Sequence, residues 1–357
     1  MKYLHALNKI PGVGTQKMKM LFNFFPTAKD IWEAEPGSLM TSGIGPKLSE
    51  KMILERDNIN PDEEWDFLER ENIKIITLTD ENYPTLLREI HHPPYILYTK
   101  GNLDLNSAPL ISIVGSRKYT EYGKLATLSF ARDLSRAGFV IVSGMALGID
   151  SFAHRGTLDA RGKTVAVLGN SLDDSSIYPV NNFNLSREIL NSGVLISEYP
   201  PIMKAGKLTF PARNRIIAGL SRGTLVIEAG ESSGALLTAK MALESNREVF
   251  SVPGQIFSPQ SFGTNNLIRC GARLTGSVND ILEELELFLS HRQQPPKPKN
   301  TNTEEKIILS VLTYEPLQID NIRKLTKLSM ATVSSTLSVM EIKGWVKNIG
   351  GQNYILL

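Results

Sequence analysis

Four glycine-rich segments carry the most distinctive chemistry in this sequence. They are Gly115-Ser116-Arg117, Ser143-Gly144-Met145-Ala146-Leu147-Gly148-Ile149-Asp150, Leu168-Gly169-Asn170, and Ile227-Glu228-Ala229-Gly230-Glu231-Ser232-Ser233-Gly234. Each follows a short Val/Ile-rich run. Glycine lets the backbone approach an anion closely, and the N–H groups of a following helix add partial positive charge. One such turn ends a strand in any α/β fold. Four on one sheet edge, one of them bearing an arginine, form a rim suited to phosphate. Gly115, Ser116, Arg117, Gly144, Ser233 and Gly234 are its candidate residues.

A local basic stretch is the second feature. From Tyr199 to Ile227 there is no acidic residue, while Lys204, Lys207, Arg213, Arg215 and Arg222 all fall there. Phe210 sits three residues after Lys207, and Pro211-Ala212-Arg213-Asn214-Arg215 follows with its proline suited to a first helical turn. Cations that take phosphates beside an aromatic ring that stacks on a base are how single-stranded nucleic acid is held. A solvated charged loop with Phe210 in the core is the competing reading.

Other chemistries find little support. Gly162-Lys163-Thr164 resembles the end of a P-loop, but Thr157 stands where the opening glycine belongs, and the triplet precedes its strand instead of following one. Gly12-Val13-Gly14 begins a dinucleotide fingerprint, but Lys17 replaces the third glycine. Asp150 and His154, at i and i+4, read as a helix N-terminal carboxylate and a satisfied histidine. Asp173-Asp174 reads as part of a loop. The single cysteine, Cys270, reads as core and excludes a CxxC zinc site; no HExxH pair occurs among the five histidines. No catalytic residue, metal or cofactor is therefore assigned.

These residues need a scaffold. The runs Pro109–Val114, Phe139–Val142, Thr164–Leu168, Val194–Ser197, Thr224–Ile227 and Glu248–Val252 are apolar at nearly every position, which predicts strands buried on both faces. Helices are expected between them over 121–137, 148–160, 182–192, 211–221 and 234–246. The alternation predicts an α/β, doubly wound, mainly parallel sheet with ligands at the carboxyl ends of its strands. Residues 1–65 read as helical, with two Gly-x-Gly turns (Gly12–Gly14 before Lys17, Gly43–Gly45 before Lys47) that suggest a duplicated helix-hairpin-helix-like unit. Residues 66–291 form the core zone, with 66–107 as a connector bearing strands near Ile73–Leu78 and Tyr95–Tyr98. Residues 292–301 read as a Pro-rich linker. Residues 302–357 show the helix, helix, helix, hairpin order of a winged helix, whose recognition helix has one lysine and no arginine.

At 357 residues and 41% hydrophobic, the chain has the composition of a globular protein. A net charge of +2 gives no global basic field, so nucleic-acid binding has to come from a local patch. One cysteine suits a reducing compartment. The start lacks the long apolar run of a signal peptide, and no stretch of ~18 apolar residues occurs. A cytoplasmic location without membrane insertion is expected.

The succession of central motifs resembles the DNA-processing protein A (DprA, or Smf) family. It comprises Val114-Gly115-Ser116-Arg117, Ser143–Asp150 with Ala153-His154, Ser197-Glu198-Tyr199-Pro200, Phe210–Ile217, Ser233–Ala239 and Val252-Pro253-Gly254. The resemblance implies a Rossmann-like core, an N-terminal helix-hairpin-helix or SAM-like domain and a C-terminal winged helix. It also implies a homodimer that binds single-stranded DNA in natural transformation, protects incoming strands and loads the RecA recombinase. By motif, Arg117 matches a phosphate-contacting arginine, and Lys207 and Phe210 match a Lys-x-x-aromatic pair. Arg213, Asn214 and Arg215 match a basic segment, and Gly144 and Gly234 match the backbone rim. Two alternatives stand beside this. One is a nucleotide-cleaving enzyme similar to the phosphoribohydrolases, although the loop at Glu228–Gly234 lacks their Pro-Gly-Gly-x-Gly-Thr signature. The other is a protein-interaction hub acting through its terminal domains.

Overall fold

Runs that are apolar on both faces become interior strands. In the computed structural model of the chain, which describes residues 1–285, 302–312, 317–343, 345–348 and 350–356, they do so close to the expected bounds. The sheet has nine strands: Lys74–Thr77 (β1), Ile96–Gly101 (β2), Leu110–Val114 (β3), Val140–Ser143 (β4), Thr164–Val167 (β5), Val194–Ser197 (β6), Gly223–Val226 (β7), Glu248–Ser251 (β8) and Arg273–Leu274 (β9). Their order is β1-β2-β6-β5-β4-β3-β7-β8-β9. Every residue of β3 to β7 is buried, as expected of a sheet covered by helices on both faces.

Strands β3 to β9 pair in parallel, whereas β1–β2 and β2–β6 are antiparallel. The chain runs outward from β3 through β4 and β5 to β6, then returns to place β7 on the other side of β3. That reversal is a topological switch point, where the connections on either side diverge and leave a crevice at the strands' carboxyl ends. Ile113 pairs with Leu225 and Val114 with Val226, so the turns after β3 and β7 leave the sheet at the same level. The architecture is α/β and Rossmann-like.

The helices follow from local signals. Thr120 caps the Glu121–Arg136 helix by accepting from Gly123 N at 3.2 Å, and Ser233 caps Gly234–Glu244. Helix Phe262–Arg269 and the two-residue β9 went unread in the sequence, being too short for a periodic signal. Cys270, expected in the core, is exposed. It is the C-cap of Phe262–Arg269, one step past the last helical turn, where the chain emerges into solvent.

The structure divides into two compact units, one through residue 288 and one from residue 289. Within the first, the N-terminal helices share an apolar core with the antiparallel side of the sheet, running from Leu4 and Leu7 to Tyr98 and Leu195. Phe22 stacks on Tyr95 with ring centroids 5.3 Å apart, and Asn8 Nδ2 donates to the Tyr98 hydroxyl at 3.1 Å. Leu48 packs against Gly12 and Met20 against Gly43, so each Gly turn meets the helix that follows the other.

The second unit is a winged helix. Helices Thr303–Val311, Ile319–Thr326 and Met330–Ile342 enclose Ile308, Ile322, Val333 and Leu337, and a three-stranded antiparallel sheet completes it. Its first strand, Leu317–Gln318, was not foreseen. The Pro-rich stretch 292–301 lies outside the described residues. Among the described residues, no helix is long and apolar enough to cross a membrane.

A carboxylate ties two N-terminal helices together. Glu64, on Pro61–Arg70, faces His5 Nε2 at 3.8 Å and pairs with Lys9, both on Lys2–Lys9. His5 and the Lys9 ammonium hold its carboxyl at about 2, against an ordinary value of 4.5. A depressed folded value stabilises above the unfolded pKa and is lost as pH falls through the folded one. Glu64→Gln should therefore lower the melting temperature near neutrality and flatten its decline between about pH 4.5 and 2. A pH series of thermal melts checks this; parallel curves for both proteins would show that the pair contributes nothing.

Candidate nucleic-acid interface

The turn after β3 is fixed almost atom by atom. Ser116 N donates to Glu228 O at 2.8 Å, joining it to the turn after β7. Ser116 O accepts from Ile149 N at 3.3 Å, joining it to the turn after β4. Its hydroxyl accepts from Lys118 N at 3.0 Å and donates to Gln260 Oε1 at 2.8 Å. Ser116 is thus buried as a brace, and the next residue, Arg117, is exposed. The Arg117 guanidinium carbon lies 5.4 Å from the centroid of the Phe210 ring, a cation–π contact.

Together these turns wall a cleft of about 540 Å³ at the switch point. Gly115, Ser116, Arg117, Phe210, Arg213, Asn214, Ser233 and Gly234 line it. Gly144 lines an adjoining small recess that shares Arg117, Phe210 and Arg213 with the cleft. Lys207 is exposed on the segment before the Thr209–Leu220 helix and lines neither. Phe210 is half-buried: neither wholly core nor free.

The basic triplet does not act as one patch. Successive helical residues turn by about 100°, so positions two apart point in different directions. Arg213 is 4% exposed. Its Nη1 donates to Gly144 O at 2.5 Å and also to Val167 O, and Asp150 supplies the compensating charge. Burial pulls its pKa to about 10, still far above neutrality. Arg215 faces elsewhere, with Nη2 2.5 Å from the Glu198 carboxylate. Asn214 remains on the cleft wall, its amide 3.5 Å from Gly234 O. The expectation that all three form a phosphate-facing basic segment is corrected: Arg213 supports the floor and Arg215 is neutralised.

The glycines also serve different ends. A side chain at Gly144 would meet Arg213 Nη1 at 2.5 Å and Asp150 Oδ2 at 2.7 Å, so glycine there makes room for two buried charged side chains. At Gly234 nothing lies within 4 Å, so that backbone is open to the cleft.

Asp150 and His154 are held apart by separate partners. The Asp150 carboxylate accepts from Gly144 N at 3.2 Å and Ala146 N at 3.4 Å. Burial raises its pKa, an effect that Arg213 and these donors oppose. His154 Nδ1 lies 2.7 Å from Thr164 Oγ1, and burial lowers its pKa to about 3. It is neutral at physiological pH and buried. Asp173 accepts from Ser171, Ser175 and the Ile202 N–H, while Asp174 pairs with Lys100 and Arg187; both serve their loop. Glu228 is buried and accepts from Thr120 N at 2.9 Å and Thr120 Oγ1 at 2.5 Å, on the wall of a separate recess. Asp150 is the one carboxylate lining the cleft. Lys118, Ser232 and Gln260 also line it and were missed. Lys118 and Ser232 flank motif residues and could have been read with them. Gln260 comes from a distant loop with no local signal.

The family described as DNA recombination-mediator protein A matches residues 74–286, and the DprA winged helix domain matches residues 292–352. A Synechocystis protein named Smf is 37% identical, covering 99% of this chain and 98% of its own. A Streptococcus pneumoniae DNA processing protein DprA is 44% identical over 59% of this chain and 73% of its own. The X-ray structure of DNA processing protein A from Streptococcus pneumoniae superposes with a TM-score of 0.69 at 34% identity, covering 80% of this chain and 98% of that one. A Helicobacter pylori DNA processing protein A, whose structure is described for its single-stranded DNA binding mode, gives a TM-score of 0.54 at 33% identity, covering 60% and 96%. The chain belongs to the DNA recombination-mediator protein A family.

Removing the Arg213 guanidinium should leave Asp150 uncompensated and two carbonyls without their donor. Arg213→Ala should cost about 3–5 kcal/mol of folding stability, the range for leaving a buried charge uncompensated. Arg117→Ala should stay within about 0.5 kcal/mol. Urea denaturation of both variants checks this, and an unchanged midpoint for Arg213→Ala would place that side chain functionally in the cleft.

Proposed function

From membership of this family and the make-up of the cleft, we propose that the protein binds single-stranded DNA without regard to sequence, as a non-enzymatic mediator of natural transformation. In this reading it protects incoming strands and loads the RecA recombinase on them, as a homodimer in the cytoplasm. The observation that carries the proposal is two exposed cations, Arg117 and Lys118, and one half-buried ring set against open backbone. Arg117 projects over Phe210, Gly234 opens its backbone opposite, and the cleft's carboxylate, Asp150, is committed to the Gly144 and Ala146 N–H groups. A strand that presents phosphates to Arg117 and a base to Phe210 meets its chemistry there. The Helicobacter pylori relative, described as binding single-stranded DNA, supports the same reading.

Gly115, Ser116, Gly144, Ser233 and Gly234 supply the rim in this proposal. Asn214 supplies a neutral polar contact, Lys207 reaches the strand from outside the cleft, and Arg213 and Arg215 act by positioning. Residues 1–65 and 302–357 act as accessory domains joined to the 66–291 core, the latter through the 292–301 linker. The exposed side of Met330–Ile342 offers Ser334, Ser335, Ser338, Val339 and Ile342. That face suits a protein contact or weak DNA contact better than base reading, which calls for Arg, Lys or Asn. The nucleotide-cleaving alternative is less well supported, because the Glu228 carboxylate is bound to Thr120 outside the cleft.

Binding of oligothymidylate measured across a salt series tests the proposal. Log affinity should fall linearly with log salt, by ~0.7 per phosphate neutralised. Arg117→Ala should weaken all strands alike and lower the slope by about one phosphate's worth. Phe210→Ala should leave the slope intact and cost ~1–3 kcal/mol. Tighter binding to duplex, salt-independent affinity, or nucleotide hydrolysis abolished by Glu228→Gln would overturn it.

A further inference from the structure

Tyr178 lies outside every motif discussed so far, yet its ring centroid is 5.8 Å from that of Phe210, inclined at 42°. It lines the small recess beside the cleft with Leu147, Gly169, Phe210, Arg117 and Arg213. Tyr178 is 47% exposed and Leu147 44%. The recess thus combines two aromatic rings, an aliphatic side chain and two guanidinium groups, with no carboxylate in its lining.

This exposed ring sits on a tightly held loop. On its N-terminal side, Asn170 Nδ2 donates to Ser176 O at 2.8 Å. On its C-terminal side, Asn182 Nδ2 donates to Met145 O at 2.8 Å, in the turn after β4. The loop is stitched to the sheet edge at both ends. Holding a large apolar ring rigidly in solvent gives up the stabilisation that burial would bring. Pre-ordering such a ring lowers the ordering cost of a later contact.

Resting on the single-strand reading above, we infer that Tyr178 is a second base-stacking platform, engaging the base next to the one on Phe210. The spacing favours two neighbouring bases over one base clamped between the rings. A clamp would need the rings parallel and about 7 Å apart, twice the contact distance of carbon atoms. Rings 5.8 Å apart and inclined at 42° instead offer one surface each to successive, splayed bases. Arg117 then neutralises the phosphate that links them.

The test uses the full-length protein with oligothymidylate and a strand of equal length carrying abasic sites. Tyr178→Ala should weaken binding to oligothymidylate roughly 5- to 150-fold, the range for one lost base–aromatic stack. It should change binding to the abasic strand little and leave the salt slope as it was. Tyr178→Phe, which keeps the ring, should bind like the parent. Thermal melts confirm folding, and Tyr178→Leu serves if the alanine variant fails to fold. Equal losses on both strands, or no loss while Phe210→Ala remains impaired, would overturn the assignment of Tyr178 and leave the single-strand reading standing. A parent protein that binds neither strand would overturn that reading and this inference with it.

Discussion

The binding edge of the sheet hangs on one buried guanidinium. Arg213 ties the turn after β4, through Gly144 O, to the end of β5, through Val167 O, and sits against Asp150 at the start of the Ile149–Asp159 helix. Its position on a helix decides what else that helix presents. Phe210 is three residues earlier and Ile217 four later, so both share its face. Once the guanidinium is seated beneath Gly144, Phe210 stands one turn above it at the mouth of the cleft. A buried charge of this kind is weak evidence for stability in itself. Its effect is to fix the geometry of three separate segments at one point.

A second layer builds on that point. The Glu228 carboxylate, accepting from Thr120, and the Ser116 N–H, donating to Glu228 O, hold the turns after β3 and β7 in mutual register. Because the backbone here is already committed, the exposed groups project from a rigid base. Arg117 and Phe210 contact each other in the free protein, so the two side chains occupy a narrow set of positions before any strand arrives. Electrostatic attraction and stacking are then available together at little ordering cost.

The sheet was legible in the sequence because burial on both faces leaves a signal that needs no context. β3, β4, β5, β6, β7 and β8 each fall within one or two residues of their Val/Ile-rich runs. Arg213 shows where such reading ends. As a residue type in an acid-free stretch it is indistinguishable from Arg117, and only the helix phase relative to Gly144 separates a phosphate ligand from a buried brace. Gly144 and Gly234 pose the same problem, since one excludes a side chain because Arg213 and Asp150 crowd it and the other leaves open backbone. Cys270 was misplaced because its apolar character was read without the helix end on which it sits. Gln260 and Tyr178 enter through long loops, and their neighbours in space are distant in the chain.

The sheet's far edge has a consequence for how the molecule behaves among its own copies. β9 is only Arg273–Leu274, and both residues are exposed. An edge strand offers unpaired N–H and C=O groups to any passing chain, and proteins guard such edges by shortening them or charging them. Here both devices coincide: two residues cannot template an extended ladder, and the Arg273–Glu284 pair, 3.5 Å apart, places charged groups on the approach. Strand-by-strand growth of the sheet from this side is therefore discouraged by geometry.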